Sequence, residues 1–197
     1  MNAVALGNVC KTRVRQVVCL LIALEFVGPI CLAQSNADLA PSDIEASYLY
    51  NFGKFVRWPN AASSAQPFFV CILGQDVFGR KLDDLVARDT IQNRKIVAKR
   101  IASPSDAADC QIIFIPLSED ARLKDDLDAL AGKPILTVSD NPQFLDRGGM
   151  IQFVLQDRRV RFLVNLAAAQ RNGLALDSEL LKVAMHVITE PVGEAQP

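Results

Sequence analysis

Six consecutive apolar residues, Phe68–Leu73 (FFVCIL), preceded by Pro67 and closed by Gly74, constrain the fold more than any other stretch of this chain. A run of that length without polar alternation reads as a strand covered on both faces, as in the middle of a parallel sheet. Three further short apolar runs follow at Ile96–Ile101, Ile112–Ile115 and Ile135–Val138, separated mostly by helix-like segments. Strands alternating with helical segments predict an α/β domain built of βαβ units around the first strand.

The N-terminus sets the compartment. Lys11, Arg13 and Arg15 precede an apolar run from Val17 to Val27, and Cys31-Leu32-Ala33 offers a small-x-small cleavage pattern. A basic segment, a short apolar core and a small residue before the cut describe a secretory signal peptide. The run falls short of the about 20 apolar residues of a membrane span, and Glu25 interrupts it. The expected division is therefore residues 1–33 as signal peptide and 34–197 as one α/β domain. An uncleaved anchor and a lipoprotein signal at Cys31 are the competing readings, the second opposed by Ile30, where a small residue is wanted.

Removing that segment takes Cys10, Cys19 and Cys31 of the five cysteines and leaves Cys71 and Cys110. Two cysteines in an oxidising compartment default to a disulfide, with two buried thiols as the alternative. A closed loop of about 40 residues would stabilise by roughly 3–4 kcal/mol in the chain-entropy model.

Taken in order, Ser42 and Glu45 stand in capping-box relation after Pro41, predicting a helix to about Arg57. Ile44, Tyr48, Phe52 and Phe55 would form its inward stripe. A helix Phe78–Arg88 turns Leu82, Leu85 and Val86 inward. Ile96–Ile101, with Lys95, Lys99 and Arg100, reads as an edge strand. Ser118 is expected to cap a helix Glu119–Ala131 whose buried side carries Leu123, Leu127 and Leu130. Met150–Gln156 and Val160–Asn165, joined through Asp157, Arg158 and Arg159, predict an antiparallel hairpin. A short helix spans Leu166–Arg171, and Ser178 is expected to cap a last helix to about Ile188.

The chemistry-bearing residues are sparse. Gly74-Gln-Asp-Val-Phe-Gly79 followed by Arg80-Lys81 only approaches a phosphate loop. The motif needs Lys directly after the second Gly and then Ser or Thr, so a nucleotide-hydrolysing loop is rejected. His186 is the sole histidine, expected on an exposed helix face, so nucleophile–histidine constellations lack a base. Two cysteines and one histidine make no zinc site, and no metal or other cofactor is expected. Asp83-Asp84 and Asp125-Asp126 are adjacent in helices and point to different faces. No catalytic residue stands out, and the chain reads as a non-enzyme. Its formal net charge of -1 argues against nucleic acid as a partner.

The run Tyr48-Leu-Tyr-Asn-Phe-Gly-Lys-Phe-Val-Arg-Trp-Pro59 resembles the opening helix of the YfiR family. So do Cys71-Ile-Leu-Gly74 with Phe78-Gly79, Pro134-Ile-Leu-Thr-Val-Ser-Asp140 and Gly148-Gly-Met-Ile-Gln-Phe-Val154. Arg159-Val-Arg-Phe162, Val164-Asn165-Leu166 and the terminal Leu180-Leu181 complete the match. The resemblance implies a single Rossmann-like three-layer domain with a mostly parallel central sheet, ending in a C-terminal antiparallel hairpin. It also implies a periplasmic repressor that binds the periplasmic domain of an inner-membrane diguanylate cyclase and limits cyclic-di-GMP signalling and biofilm formation. An outer-membrane peptidoglycan-binding lipoprotein as antagonist and a homodimeric state come with it.

Two candidate sites follow. Arg158, Arg159 and Arg161 place three cations on one hairpin, a candidate partner patch with a solvated turn as the alternative. The alternative function, a small-molecule binding module, would use the carboxyl ends of the strands, with Gly74, Asp76, Gly79, Ser118 and Asp140 as its candidate pocket.

Overall fold

The computed structural model describes residues 40–59 and 66–190. The expected signal peptide and its cleavage site lie outside the described residues. The first helix, α1 (Pro41–Phe52), leads into a two-residue strand β1 (Val56–Arg57) and then β2 (Phe68–Leu73). Next come α2 (Arg80–Val86), β3 (Thr90–Ile91), β4 (Arg94–Ile101), a 3-10 turn at Pro104–Ala107 and β5 (Cys110–Phe114). A second 3-10 turn (Leu117–Arg122) runs into α3 (Leu123–Leu130), followed by β6 (Leu136–Ser139), β7 (Ile151–Gln156) and β8 (Arg159–Asn165). The chain closes with α4 (Leu166–Arg171), β9 (Ala175–Leu176), α5 (Ser178–Val183) and β10 (His186–Ile188).

Among the described residues eight strands form one sheet in the order β10-β8-β7-β6-β5-β2-β4-β3, while β1 and β9 make a separate antiparallel pair. β2 lies inside the sheet, parallel to β4 on one side and β5 on the other. That position explains its unbroken apolar run, because both of its faces meet packed side chains. β6 and β7 extend the parallel part. Antiparallel pairs occur at β3–β4 and β7–β8, and β10 adds parallel to β8. Both antiparallel connections are two residues long: Gln92-Asn93 and Asp157-Arg158 all take positive φ, the geometry that matches the twist of the flanking strands.

Two apolar clusters cover the two faces. One packs α1 and α2 on Val70, Ile72, Ile112, Phe114 and the Phe153–Phe162 pair. The other packs Leu123, Leu127 and Leu130 of α3 on Cys71, Leu73 and Ile113, as the leucine spacing predicts. Cys71 and Cys110 are joined as a disulfide between the neighbouring strands β2 and β5, with Cα atoms 5.9 Å apart.

Several expectations need correction. α1 ends at Phe52 rather than Arg57, so Phe55 leaves the inward stripe and is 39% exposed. Gly53, just past that end, leaves no room for a side chain: a Cβ there would lie 2.5 Å from Ile91 Cδ1. Ser42 and Glu45 make no capping box, since Ala40 is the N-cap and no side chain caps it. Ser118 does not cap either; Pro116 precedes the 3-10 turn without a side-chain cap. β4 is not the edge, because β3 pairs outside it. The last helix stops at Val183, with Asp177 rather than Ser178 as its cap, and His186 lies on β10. The β7–β8 pair is consequently not the end of the sheet, because β10 continues it past β8.

Candidate functional site

The carboxyl ends of β2, β5 and β6 converge where the chain reverses its progress across the sheet, the usual ligand position in open α/β folds. The fold brings several of the expected pocket residues to this edge. The Leu117 N–H donates to Asp140 Oδ1 (2.7 Å), tying the turn after β5 to the end of β6. Asn141 Nδ2 and Arg147 Nη1 both reach Asp120 Oδ1, at 2.7 and 2.9 Å. Gly74, in the left-handed region at φ 68°, has the Glu119 carboxylate packed where a Cβ would stand. Ser118 is exposed on the same turn.

Asp76 and Gly79 are engaged in holding the β2–α2 connection. The N–H groups of Phe78 and Gly79 donate to Asp76 Oδ1 at 2.9 and 3.0 Å, and Arg100 Nε donates to Oδ2 at 2.8 Å. Arg100 also reaches Asp83 (2.6 Å) and the Gly79 carbonyl (2.7 Å). Burial pulls the Asp76 carboxyl upward, but these hydrogen bonds outweigh it and hold the group below the usual carboxylate range. Asp76 is thus an ionised strut of the loop. With Glu119 against Gly74, structural contacts occupy the crevice mouth beside β2.

A carboxylate pair that the sequence reading missed sits on the α1 side of the same edge. Glu45 is half-buried, and its pKa is pushed up to about 7, first by burial and then by the negative charge of Asp140. Burial also raises Asp140, against the hydrogen bond from Leu117 N–H. Two carboxyl groups that share a poorly solvated edge resist joint ionisation, so the edge gives up its last proton at a higher pH than a free carboxyl would. In sequence Glu45 stands in capping-box spacing, and nothing local reveals its long-range neighbour.

The arginine patch is placed differently. Arg158 occupies the β7–β8 turn, and Arg159 and Arg161 lie on one face of β8. All three are exposed, and none makes an ion pair among the described residues. Leu155, 62% exposed, stands on the neighbouring strand opposite Val160. The tip of this pair thus offers Arg159 and Arg161 on one face and the exposed Leu155 on the other. Among the described residues no cluster of three or more metal-ligating side chains occurs. No described helix is long and apolar enough to cross a membrane.

The fold and its two candidate surfaces describe a mostly parallel α/β domain crosslinked by a disulfide. Residues 42–185 match the model of the YfiR/HmsC-like family, and the chain belongs to that family. The family points to a periplasmic regulator of cyclic-di-GMP signalling and is a regulatory rather than a known enzyme family. Among solved structures the chain is similar to a conserved domain protein from Vibrio cholerae O1 biovar El Tor strain N16961. The likeness has 11% sequence identity and a TM-score of 0.48, over 76% of this chain and 61% of that one.

Proposed function

We propose that this protein is a periplasmic repressor that binds the periplasmic domain of a membrane-bound diguanylate cyclase and lowers cyclic-di-GMP synthesis by binding alone. The observation that carries the reading is the family match across residues 42–185. The unneutralised Arg158, Arg159 and Arg161 at the β7–β8 tip supply the docking surface. Exposed cations steer a complementary acidic partner.

Binding represses only through differential affinity. Moving the cyclase from 99:1 active to 1:99 requires that its inactive state be preferred by about 5.5 kcal/mol. An ordinary interface of roughly 800 Å² per partner is adequate for that preference. An outer-membrane peptidoglycan-binding lipoprotein is the proposed antagonist, competing for the repressor, and a homodimer the proposed working state.

Titrating the purified periplasmic domain of the cyclase against wild-type protein and the R158E/R159E/R161E variant tests the patch. Wild type should bind with salt-sensitive affinity and the variant should lose at least about tenfold, a change of 1.4 kcal/mol. Equal affinity of the two proteins removes the arginines from the interface.

A further inference from the structure

The face of the sheet that carries α3 changes character from β5 to β8. On β2 and β5 its residues are Cys71, Leu73 and Ile113, whereas on β6, β7 and β8 the buried Thr137, Ser139, Gln152 and Asn165 join the partly buried Leu163. The side-chain oxygens of all four of these polar residues accept backbone N–H groups. Thr137 Oγ1 takes Met150 N–H (3.2 Å), Ser139 Oγ takes Asn141 N–H (3.0 Å) and Gln152 Oε1 takes Leu145 N–H (3.3 Å).

Asn165 is different. Its Oδ1 caps α4 by accepting from Ala168 N–H (2.9 Å), which fixes the orientation of the amide. The Nδ2 donors are then left buried and without a partner among the described residues. An unpaired buried donor is costly and calls for an acceptor that the protein does not itself supply.

Asn165 forms part of the wall of a cleft of about 520 Å³ between α3, the loop before β7 and the end of α4. That volume is in the range of small-molecule sites. Lys124, Arg147 and Arg171 stand around it with Asp128 and Asp146. Lys124 is paired with Asp128 (2.5 Å) and Arg147 with Asp120 (2.9 Å), while Arg171 makes no ion pair among the described residues. An adjoining recess of about 180 Å³ shares Asp128, Arg147, Gly148 and Arg171 and adds the apolar side chains of Leu127, Leu130 and Met150. Asn172 Oδ1 ties the two helices together beside it by accepting Gly132 N–H (2.7 Å).

We propose that this cleft binds a small organic anion with one oxyanion group, carboxylate or phosphate, on a compact apolar body. The oxyanion accepts from Asn165 Nδ2 and pairs with Arg171, and the apolar body fills the recess over Leu127 and Met150. Asp146 disfavours a second anionic group. The site is separate from the arginine tip, and it stands or falls independently of the repressor reading.

The side-chain amide of Asn165 gives a direct probe in ¹H–¹⁵N spectra of the full chain titrated with benzoate, phenyl phosphate and inorganic phosphate. The Asn165 pair should shift and saturate with benzoate and phenyl phosphate, and inorganic phosphate should bind about tenfold more weakly because it leaves the recess empty. Arg171→Gln should weaken phenyl phosphate by about tenfold or more. Asn165→Asp keeps the cap oxygen, replaces the donors with charge and should abolish binding; if that variant fails to fold, Arg171→Gln decides. No shift at millimolar phenyl phosphate overturns the proposal. Equal affinity for inorganic and phenyl phosphate, or no effect of Arg171→Gln, indicates an adventitious ion only and overturns it as well.

Discussion

Truncating Phe52 isolates the packing on which α1 depends. Its side chain is 1% exposed, and its ring lies 5.1 Å from Phe162, 5.8 Å from Phe153 and 6.1 Å from Tyr48, centroid to centroid. Phe153 and Phe162 face each other across β7 and β8, so the backbone ladder prevents them from closing on a void. Buried Phe→Ala changes cost about 3–5 kcal/mol, and sites that do not collapse fall at the upper end. Phe52→Ala should therefore lose about 4–5 kcal/mol, a large share of the roughly 5–15 kcal/mol that stabilises a domain. At about 2–4 °C per kcal/mol for this chain length, Tm should fall by roughly 8–20 °C. Phe55→Ala is the internal control, since Phe55 is 39% exposed and should cost about 0.5 kcal/mol or less. Urea unfolding with the disulfide intact measures both. A Phe52→Ala loss below about 1 kcal/mol, or equal losses at the two positions, would refute the packing described.

The Cys71–Cys110 crosslink closes a separation of 39 residues and should stabilise by roughly 3–4 kcal/mol. Thiol labelling of the denatured, unreduced protein should find neither cysteine reactive, and Cys71→Ala should lower Tm and leave Cys110 free to form disulfide-linked dimers; two labelled thiols in the wild type contradict the bond. Glu45 gives a pH signature. Because its folded pKa of about 7 lies above its ordinary value of 4.5, the folded state holds the proton more tightly. Stability should thus fall as pH rises from about 4.5 through 7. Glu45→Gln should flatten that slope in thermal melts across the window, and an unchanged slope assigns it to other groups.

Legibility in the sequence followed the range of each interaction. The β2 run, the leucine spacing of α3 and the β7–β8 connection are local patterns, and the structure has them at nearly the expected residues. The last segment misled because Ser178–Ile188 carries a helical pattern, but the open edge of β8 recruits His186–Ile188 as a strand, and pairing there overrides local preference. Phe55 misled because the apolar period runs on past the end of α1 at Phe52 and does not register where the helix stops. At the carboxylate edge, Asp140 and Gly74 were readable from the rule that ligands collect at strand ends. Glu45 was not, since its perturbation comes from Asp140, far along the chain. Asn165 was equally hidden: its cap role is local, while its unpaired amide depends on what α3 and the loop before β7 leave open.

Repression from outside the inner membrane is the central claim, and the cellular cyclic-di-GMP level in a deletion strain tests it most directly. Deleting the gene should raise cyclic-di-GMP and surface attachment. A full-length copy should restore the low level, and a copy lacking residues 1–33, retained in the cytoplasm, should not. Unchanged cyclic-di-GMP on deletion, or full restoration by the cytoplasmic copy, would contradict it.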